Sequence, residues 1–273
     1  EVEVWDDITF LNKAKLTIKG KITRTALILL GESEAEHFLS PADIKIRWKL
    51  VNRDNQDLDY EIFEMPLLLS VEKAFAKVRN LKYRYLQDGT IFPTEVTQYE
   101  PFSRLVLLYN GSCRYEPFSI REALNNCIAH QDYTKAARIN LIEFEDRLVF
   151  TNYGAFIPES VEKVVLEDAP EETYRNPFLA RAMFNLKMVD TVGGGIKKMF
   201  NYQRARFFPM PEYDISGGKV KMTLIGKVLD VNYAQRLAQD QELTFEEIIM
   251  LDKVQKHKKL SPSEEKYLKK MIA

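Results

Sequence analysis

Three residue types that can do chemistry recur at intervals of four: Glu122, Asn126 and His130. At 3.6 residues per turn they share one face of a helix, while Ile120, Leu124, Cys127 and Ile128 fall on another that should pack on a sheet. A carboxylate one turn before a carboxamide suits metal-assisted phosphate chemistry. Asn126 can offer an oxygen to Mg²⁺, and Glu122 can orient or deprotonate a water. The same spacing also describes a solvated helix face, and spacing alone leaves both readings open. In Thr151-Asn152-Tyr153-Gly154, the Asn152 side chain can bond an exocyclic amine such as that of adenine. Gly154 can admit a base or backbone closely. An ordinary turn leaving a strand is the alternative. The run Gly193-Gly194-Gly195-Ile196-Lys197-Lys198 can present free N–H groups and a helix dipole to a phosphate, with Lys197 or Lys198 adding charge. A flexible loop at a helix start is the competing description.

The elements that must position these residues follow from periodicity and turn chemistry. Helices are expected over residues 6–13, from Pro66, from Pro117 to about His130, from Asn176-Pro177 to Met188, and from the triple glycine to about Arg206. Strands are expected at residues 25–30, 44–51, 83–85, 94–99, 137–144, 148–152, 213–216 and 220–225, with a polar loop at 52–59 and turns at Asp88-Gly89, 145–147 and Gly217-Gly218. Strands and helices mix without a βαβ rhythm, which predicts an α+β fold: a mixed, largely antiparallel sheet covered by helices. Beyond Leu229 the chain turns to charged helix. Residues 244–247 and 261–264 both fit the S/T-x-x-E capping box, and a Lys-rich turn between two short helices resembles the opening of a helix-turn-helix.

Composition bounds the partners. The chain has 273 residues, 45% hydrophobic and 29% charged, a balance that folds and suits two domains or one with an appended piece. A formal net charge of −1 gives no global field toward nucleic acid or an anionic membrane, so any DNA contact needs a local patch. Lys253, Lys256, Lys258 and Lys259 with His257 form such a basic turn, although residues 227–273 hold nine Lys or Arg against eight Asp or Glu. A solvated helix hairpin is the alternative there. Two cysteines, Cys113 and Cys127, lie outside zinc-ligand spacing and are too few for a disulfide framework, which points to a reducing compartment. No apolar run approaches a membrane span and no signal segment is read, so a cytoplasmic location is expected. The first residue is Glu rather than Met, and the chain is expected to be a fragment of something longer.

Taken in order, Arg121-Glu122-Ala123-Leu124-Asn125-Asn126, His130-Gln131-Asp132-Tyr133, Asn152-x-Gly154, Arg175-Asn176-Pro177 and Gly193-x-Gly195-Ile196 resemble the motif set of a family of bacterial regulators. In that family a Schlafen-type, Alba-like domain precedes a divergent GHKL ATPase domain of the Bergerat fold, and a winged helix often follows. Members are labelled transcriptional regulators or ATP-dependent helicase-like proteins. The segment from Gly20 to Gly31 is similar to the closing part of the Schlafen-type domain, and Leu251 to Lys256 with Leu260-Ser261-x-x-Glu264 is similar to the start of the winged helix. The resemblance implies boundaries at 1–64, 65–228 and 229–273, with both outer domains truncated.

The resemblance further implies roles. Glu122 corresponds to the catalytic carboxylate and Asn126 to the Mg²⁺ ligand. Asn152 stands where the superfamily uses an aspartate to grip adenine, Gly154 where it uses a base-contacting glycine, and Gly193, Gly194 and Gly195 where it uses phosphate-side glycines. An Asn can accept from the adenine amine through Oδ1 but lacks the charge that strengthens such a bond. His130 either contacts phosphate from the same helix face or holds the turn before Tyr133. The implied function is a regulator whose GHKL-like module binds ATP or a related nucleotide with Mg²⁺ and modulates DNA binding by its flanks in the full-length protein. A working Mg-dependent ATPase and a dimerisation scaffold are the alternatives, and a homodimer is left open.

Overall fold

Side-chain caps set the N-terminal elements. In the computed structural model, which describes residues 4–80, 82–84, 94–96, 114–158, 160–166, 174–189, 194–240 and 242–272, Asp6 accepts the Thr9 amide at 2.7 Å and starts α1 (Asp7–Lys13). A short ribbon of β1 (Thr17–Ile18) and β2 (Lys21–Ile22) turns through Lys19 and Gly20, both with positive φ. The strand expected at residues 25–30 is instead helix α2 (Arg24–Leu30). Thr23 Oγ1 accepts the Ala26 amide at 3.2 Å, and Thr25, Ala26, Ile28 and Leu29 bury one helical stripe. A short apolar run fits either period, and the cap decides it.

A 3-10 helix (Ser33–Leu39) leads to β3 (Ile46–Val51) and β4 (Asp57–Phe63). The loop expected at 52–59 closes earlier than its composition suggests. Asn52 Oδ1 takes the amides of Asp54 and Gln56, both at 2.9 Å, and Asn55 adopts φ 58°, so the chain is already a strand at Asp57. Lys49 and Lys77 pair with the acidic side chains of β4 and let that strand carry three carboxylates. Next come α3 (Leu67–Lys77), the antiparallel pair β5 (Lys82–Arg84) and β6 (Thr94–Val96), and α4 (Pro117–His130). The Asp88-Gly89 turn and residues 97–99 lie outside the described residues. The chain continues through β7 (Ile139–Glu143), β8 (Arg147–Tyr153), α5 (Val161–Leu166), α6 (Pro177–Asn185), α7 (Gly195–Ala205), β9 (Glu212–Asp214) and β10 (Lys219–Ile225). It closes with α8 (Val231–Gln239), α9 (Phe245–Gln255) and α10 (Pro262–Ile272).

Six strands form one sheet in the order β4-β3-β7-β8-β10-β9. Only the β3–β7 pair is parallel among them, so the sheet is mixed and largely antiparallel, an α+β layout. It takes strands from both sides of residue 64. Trp48, Leu141 and Phe150 of the sheet share an apolar cluster with Val71 of α3 and Leu124 and Ile128 of α4. A smaller cluster joins Val165 of α5, Phe200 of α7, Tyr233 of α8 and Ile248 of α9. Both capping boxes expected near the C-terminus are present: Thr244 with Glu247, and Ser261 with Glu264.

Candidate functional site

Proline fixes the φ that starts a helix and has no N–H to leave unmet, so α4 begins at Pro117. Ile120, Leu124 and Ile128 are fully buried. The opposite side of the helix does not face bulk water. Glu122, Asn126 and His130 line a cavity of about 620 Å³, and Glu122 is only 7% exposed, which removes the solvated-face description. Asn152 of β8, residues 155–158, Val164 of α5, part of α6, Gly195 of α7 and Tyr213 of β9 complete the wall. A cavity of this size, largely apolar with a few polar groups converging on it, has the character of a small-molecule site.

Glycine at 195 has a steric reason. A Cβ there would lie 1.8 Å from Glu122 Oε1, so only glycine admits the carboxylate against the first turn of α7. The N-terminal end of a helix favours an anion at that place. Asn126 Nδ2 donates to the same Oε1 at 3.1 Å, which leaves Asn126 Oδ1 as the oxygen that can serve a cation. Tyr213 is half-buried against the cavity, and desolvation followed by the Glu122 charge pushes its phenol up, so it stays protonated. Burial pushes the Cys127 thiol up to about 12, which leaves it inert as a nucleophile at neutral pH.

The end of β8 is spliced to the end of α4. Gln131, 1% exposed, accepts the Tyr153 amide at 2.8 Å and donates to the Ala137 carbonyl at 2.5 Å. Asp132 N donates to the Tyr153 carbonyl at 2.8 Å, and Tyr133 OH donates to the Ile128 carbonyl at 3.0 Å. Asn176 Nδ2 reaches the Ala129 and Gln131 carbonyls at 3.0 and 2.8 Å, capping the carbonyl end of α4. Through this splice Asn152, 4% exposed, reaches the cavity. Its Nδ2 donates to the carbonyls of His130 and Tyr153 at 3.3 and 3.4 Å, so its Oδ1 is the atom left to accept from a ligand.

His130 belongs to the wall. Its ring stacks on Tyr174 with centroids 5.7 Å apart and 21° between planes, and burial, reinforced by Arg175, pushes its pKa down to about 4. It is neutral at pH 7. Asp132 is not in the wall; it accepts from Thr134 Oγ1 at 2.6 Å and pairs with Lys135 at 3.6 Å. Gly154 has φ 124°, and a Cβ there would meet Arg175 Nε at 2.7 Å. The close approach that Gly154 permits is therefore made by the Arg175 guanidinium, which also donates to the Ala155 carbonyl at 2.9 Å.

Of the remaining expected site residues, Gly193 lies outside the described residues, Gly194 is the N-cap of α7, and Lys197 sits half-buried in its first turn, outside the cavity wall. The basic turn is largely neutralised within the chain. Lys253 pairs with Glu264 at 2.9 Å and Lys258 with Glu212 at 2.6 Å. The Lys256 side chain, 5% exposed, pairs with Asp252 at 2.6 Å and donates to the Met210 carbonyl at 2.7 Å, which takes it out of reach of a DNA phosphate. Lys259 is exposed. Sequence reasoning gave no role to Tyr174, Arg181 and Phe156, which line the cavity, or to Arg175 beside Gly154. The Arg175-Asn176-Pro177 helix start was a usable signal for the group next to it.

Comparison with known proteins gives a family match over part of the chain and a likeness of fold. A family model described as "Putative ATP-dependent DNA helicase recG C-terminal" matches residues 136–224, from just before β7 to the end of β10. That segment is ATPase-like and helicase-like, and it leaves out α4 with Glu122 and Asn126. A search of curated proteins finds no match. Among solved structures the chain is similar to the DIP2311 protein from Corynebacterium diphtheriae, with a TM-score of 0.61 and 20% sequence identity over 83% of this chain. The match spans 42% of the length of that protein, and the likeness is one of fold. No described helix is long and apolar enough to cross a membrane.

Proposed function

We propose that the cavity beside α4 binds an adenine nucleotide with Mg²⁺, and that the chain is the nucleotide-responsive part of a regulator whose flanking segments contact DNA. The observation that carries this reading is the convergence of Glu122, Asn126, Asn152 and Gly195 on one cavity of about 620 Å³. The ATPase-like match over residues 136–224 supports it from a different direction.

The donor set fits the ligand. Asn152 Nδ2 is engaged by two carbonyls, so Oδ1 meets the ligand as an acceptor. An acceptor there suits the 6-amino group of adenine and opposes the 6-oxo group of guanine. Asn126 Oδ1 and the Glu122 carboxylate are the oxygens that would hold Mg²⁺, whose charge would offset that of the phosphates. Glycine at 195 brings backbone N–H groups of the α7 terminus close to the same place. Glu122 is also the group that can orient a water toward a terminal phosphate, which makes hydrolysis the second reading. Neutral His130 contributes its ring to the wall and is not a cationic acid at pH 7.

Thermal melts with and without Mg-ATP test binding: a ligand at about 100 times its dissociation constant adds about 2.7 kcal/mol of stability. No shift with Mg-ATP at millimolar concentration would remove the proposal. Phosphate release by the wild type against Glu122→Ala separates hydrolysis from binding, and equal rates would leave a binding module. DNA contact by the full-length protein is tested by a mobility shift whose salt sensitivity falls on charge reversal of Lys258 and Lys259.

A further inference from the structure

A second cleft lies at the other end of β8 from Asn152. It has a volume of about 550 Å³ and is bounded by the turns at Asn52 and Asn55 and at Glu145-Asp146, with Arg53, Arg114, Arg147 and Lys227 around it. Its acids are already engaged. Both Glu145 oxygens accept from Arg53, Asp146 Oδ1 accepts from Arg147 at 2.9 Å, and Asp146 Oδ2 pairs with Lys227 at 2.7 Å. Each carboxyl is accordingly held below its usual range; for Asp146 the lowering comes from Lys227 and Arg147 working against burial. Leaving Arg114 out of the count, three cations face two carboxylates, and Lys227 and Arg147 keep N–H groups beyond those bonds.

Arg114 is held in place by the backbone. It is 4% exposed, donates to the Glu145 carbonyl, and crosses Gly226, where a Cβ would come within 2.4 Å of its Cγ and 2.5 Å of the Tyr115 ring. The Gly226 amide is in turn fixed on the Asp146 carbonyl at 2.8 Å. Arg147 lies over the Phe144 ring at 4.1 Å, which orients its planar fork along the cleft. Oriented guanidinium groups beside a lysine, in a concave site whose carboxylates are already paired, suit a phosphoryl group better than a metal ion. We propose that this cleft is a second binding site, separate from the cavity at Glu122, for the dianionic terminal phosphoryl group of a small molecule. The inference does not depend on nucleotide binding at the first cavity.

The test is calorimetric titration of inorganic pyrophosphate into the full chain, its Gly195→Ala variant and its Lys227→Gln variant. Lys227 is exposed enough for the substitution to leave the fold intact, which circular dichroism checks. Binding that persists in Gly195→Ala and weakens about tenfold in Lys227→Gln, the worth of one charge-assisted hydrogen bond, supports the second site. No binding by the wild type, or binding that Lys227→Gln leaves unchanged, overturns it. Competition by a short oligonucleotide lacking a terminal phosphate assigns the cleft to a phosphodiester backbone, which also overturns the small-molecule reading.

Discussion

Replacing Gly195 with alanine should hurt the wild-type protein and help a protein that lacks the Glu122 carboxylate. The added Cβ would sit 1.8 Å from Glu122 Oε1, 2.5 Å from its Cδ and 3.1 Å from its Cγ, so the side chain must leave. Leaving forfeits the 3.1 Å bond from Asn126 and the placement at the α7 terminus. For a charged acceptor in a site only 7% exposed, that loss is about 1.5–3 kcal/mol. Against it, alanine in a helix is favoured over glycine by about 1 kcal/mol at most. The net expectation for Gly195→Ala is destabilisation by about 0.5–2 kcal/mol. In a Glu122→Ala background the clash is gone and only the helix preference remains, so the same substitution should be neutral or stabilising by up to about 1 kcal/mol. Urea unfolding of the four proteins of this double-mutant cycle measures both numbers. An equal effect of Gly195→Ala in the two backgrounds would refute the contact between α4 and α7 on which the site is built.

Three further outcomes follow from other contacts. His130 is held neutral with its pKa pushed down to about 4, against an unfolded value of 6.5. The unfolded chain therefore binds the extra proton first, and stability should fall as pH drops from 6.5 to 4, by on the order of 3 kcal/mol, and level off outside that window. His130→Phe should flatten that part of a stability-versus-pH curve, and an unchanged slope would contradict the assignment. Gly154→Ala combines a φ of 124° with a 2.7 Å approach to Arg175 Nε, so a loss of about 1–3 kcal/mol is expected in thermal melts. Adding Arg175→Ala should recover only part of it, because the backbone strain stays. Asp252→Ala strands the Met210 amide and leaves the buried Lys256 ammonium with only the longer 3.7 Å ion pair to Glu212, and a cost of about 3 kcal/mol should appear as early loss of helix when denaturant is raised.

The strands and helices around the site were legible because their signals are local. Pro117, Pro177 and the triple glycine each mark a helix start, and the strands expected at 137–144 and 148–152 form the antiparallel pair β7 and β8 with ends shifted by a residue or two. Two segments were misread for a physical reason. Residues 25–30 are apolar enough for either period, and a single Thr23 hydroxyl turns them into helix. Residues 57–59, the end of the expected loop, are instead the start of β4, where Lys49 and Lys77, remote from them in sequence or in the fold, pair with the acids. At the site, the i, i+4, i+8 spacing found the face of α4 but not what lies opposite it. The contact of Glu122 with Gly195 and that of Gly154 with Arg175 join residues far apart in sequence, and neither is written in any local pattern. The partners of the basic turn are equally distant in sequence or hidden by the fold: Lys256 pairs with Asp252 and Lys258 with Glu212.

The position of α5 bears on how a ligand in the cavity could be felt at the C-terminal helices. Val164 lines the cavity, while its neighbour Val165 is fully buried in the second cluster with Tyr233, Leu237 and Ile248. Ile196 of α7 and Tyr213 of β9 also belong to the cavity wall and pack against that cluster. On the other flank, Asp252 and Lys256 of α9 grip the backbone of Met210, three residues before Tyr213, through both its amide and its carbonyl. A displacement of α5 or β9 by a bound molecule would thus have to be taken up by repacking around α8 and α9, since close-packed interiors do not absorb it elsewhere. Occupancy can bias the C-terminal helices only by the difference in affinity between two such packings. Val164 and Val165 thus face the cavity and the C-terminal helices from adjacent positions on a single turn, which makes α5 the shortest connection between the two.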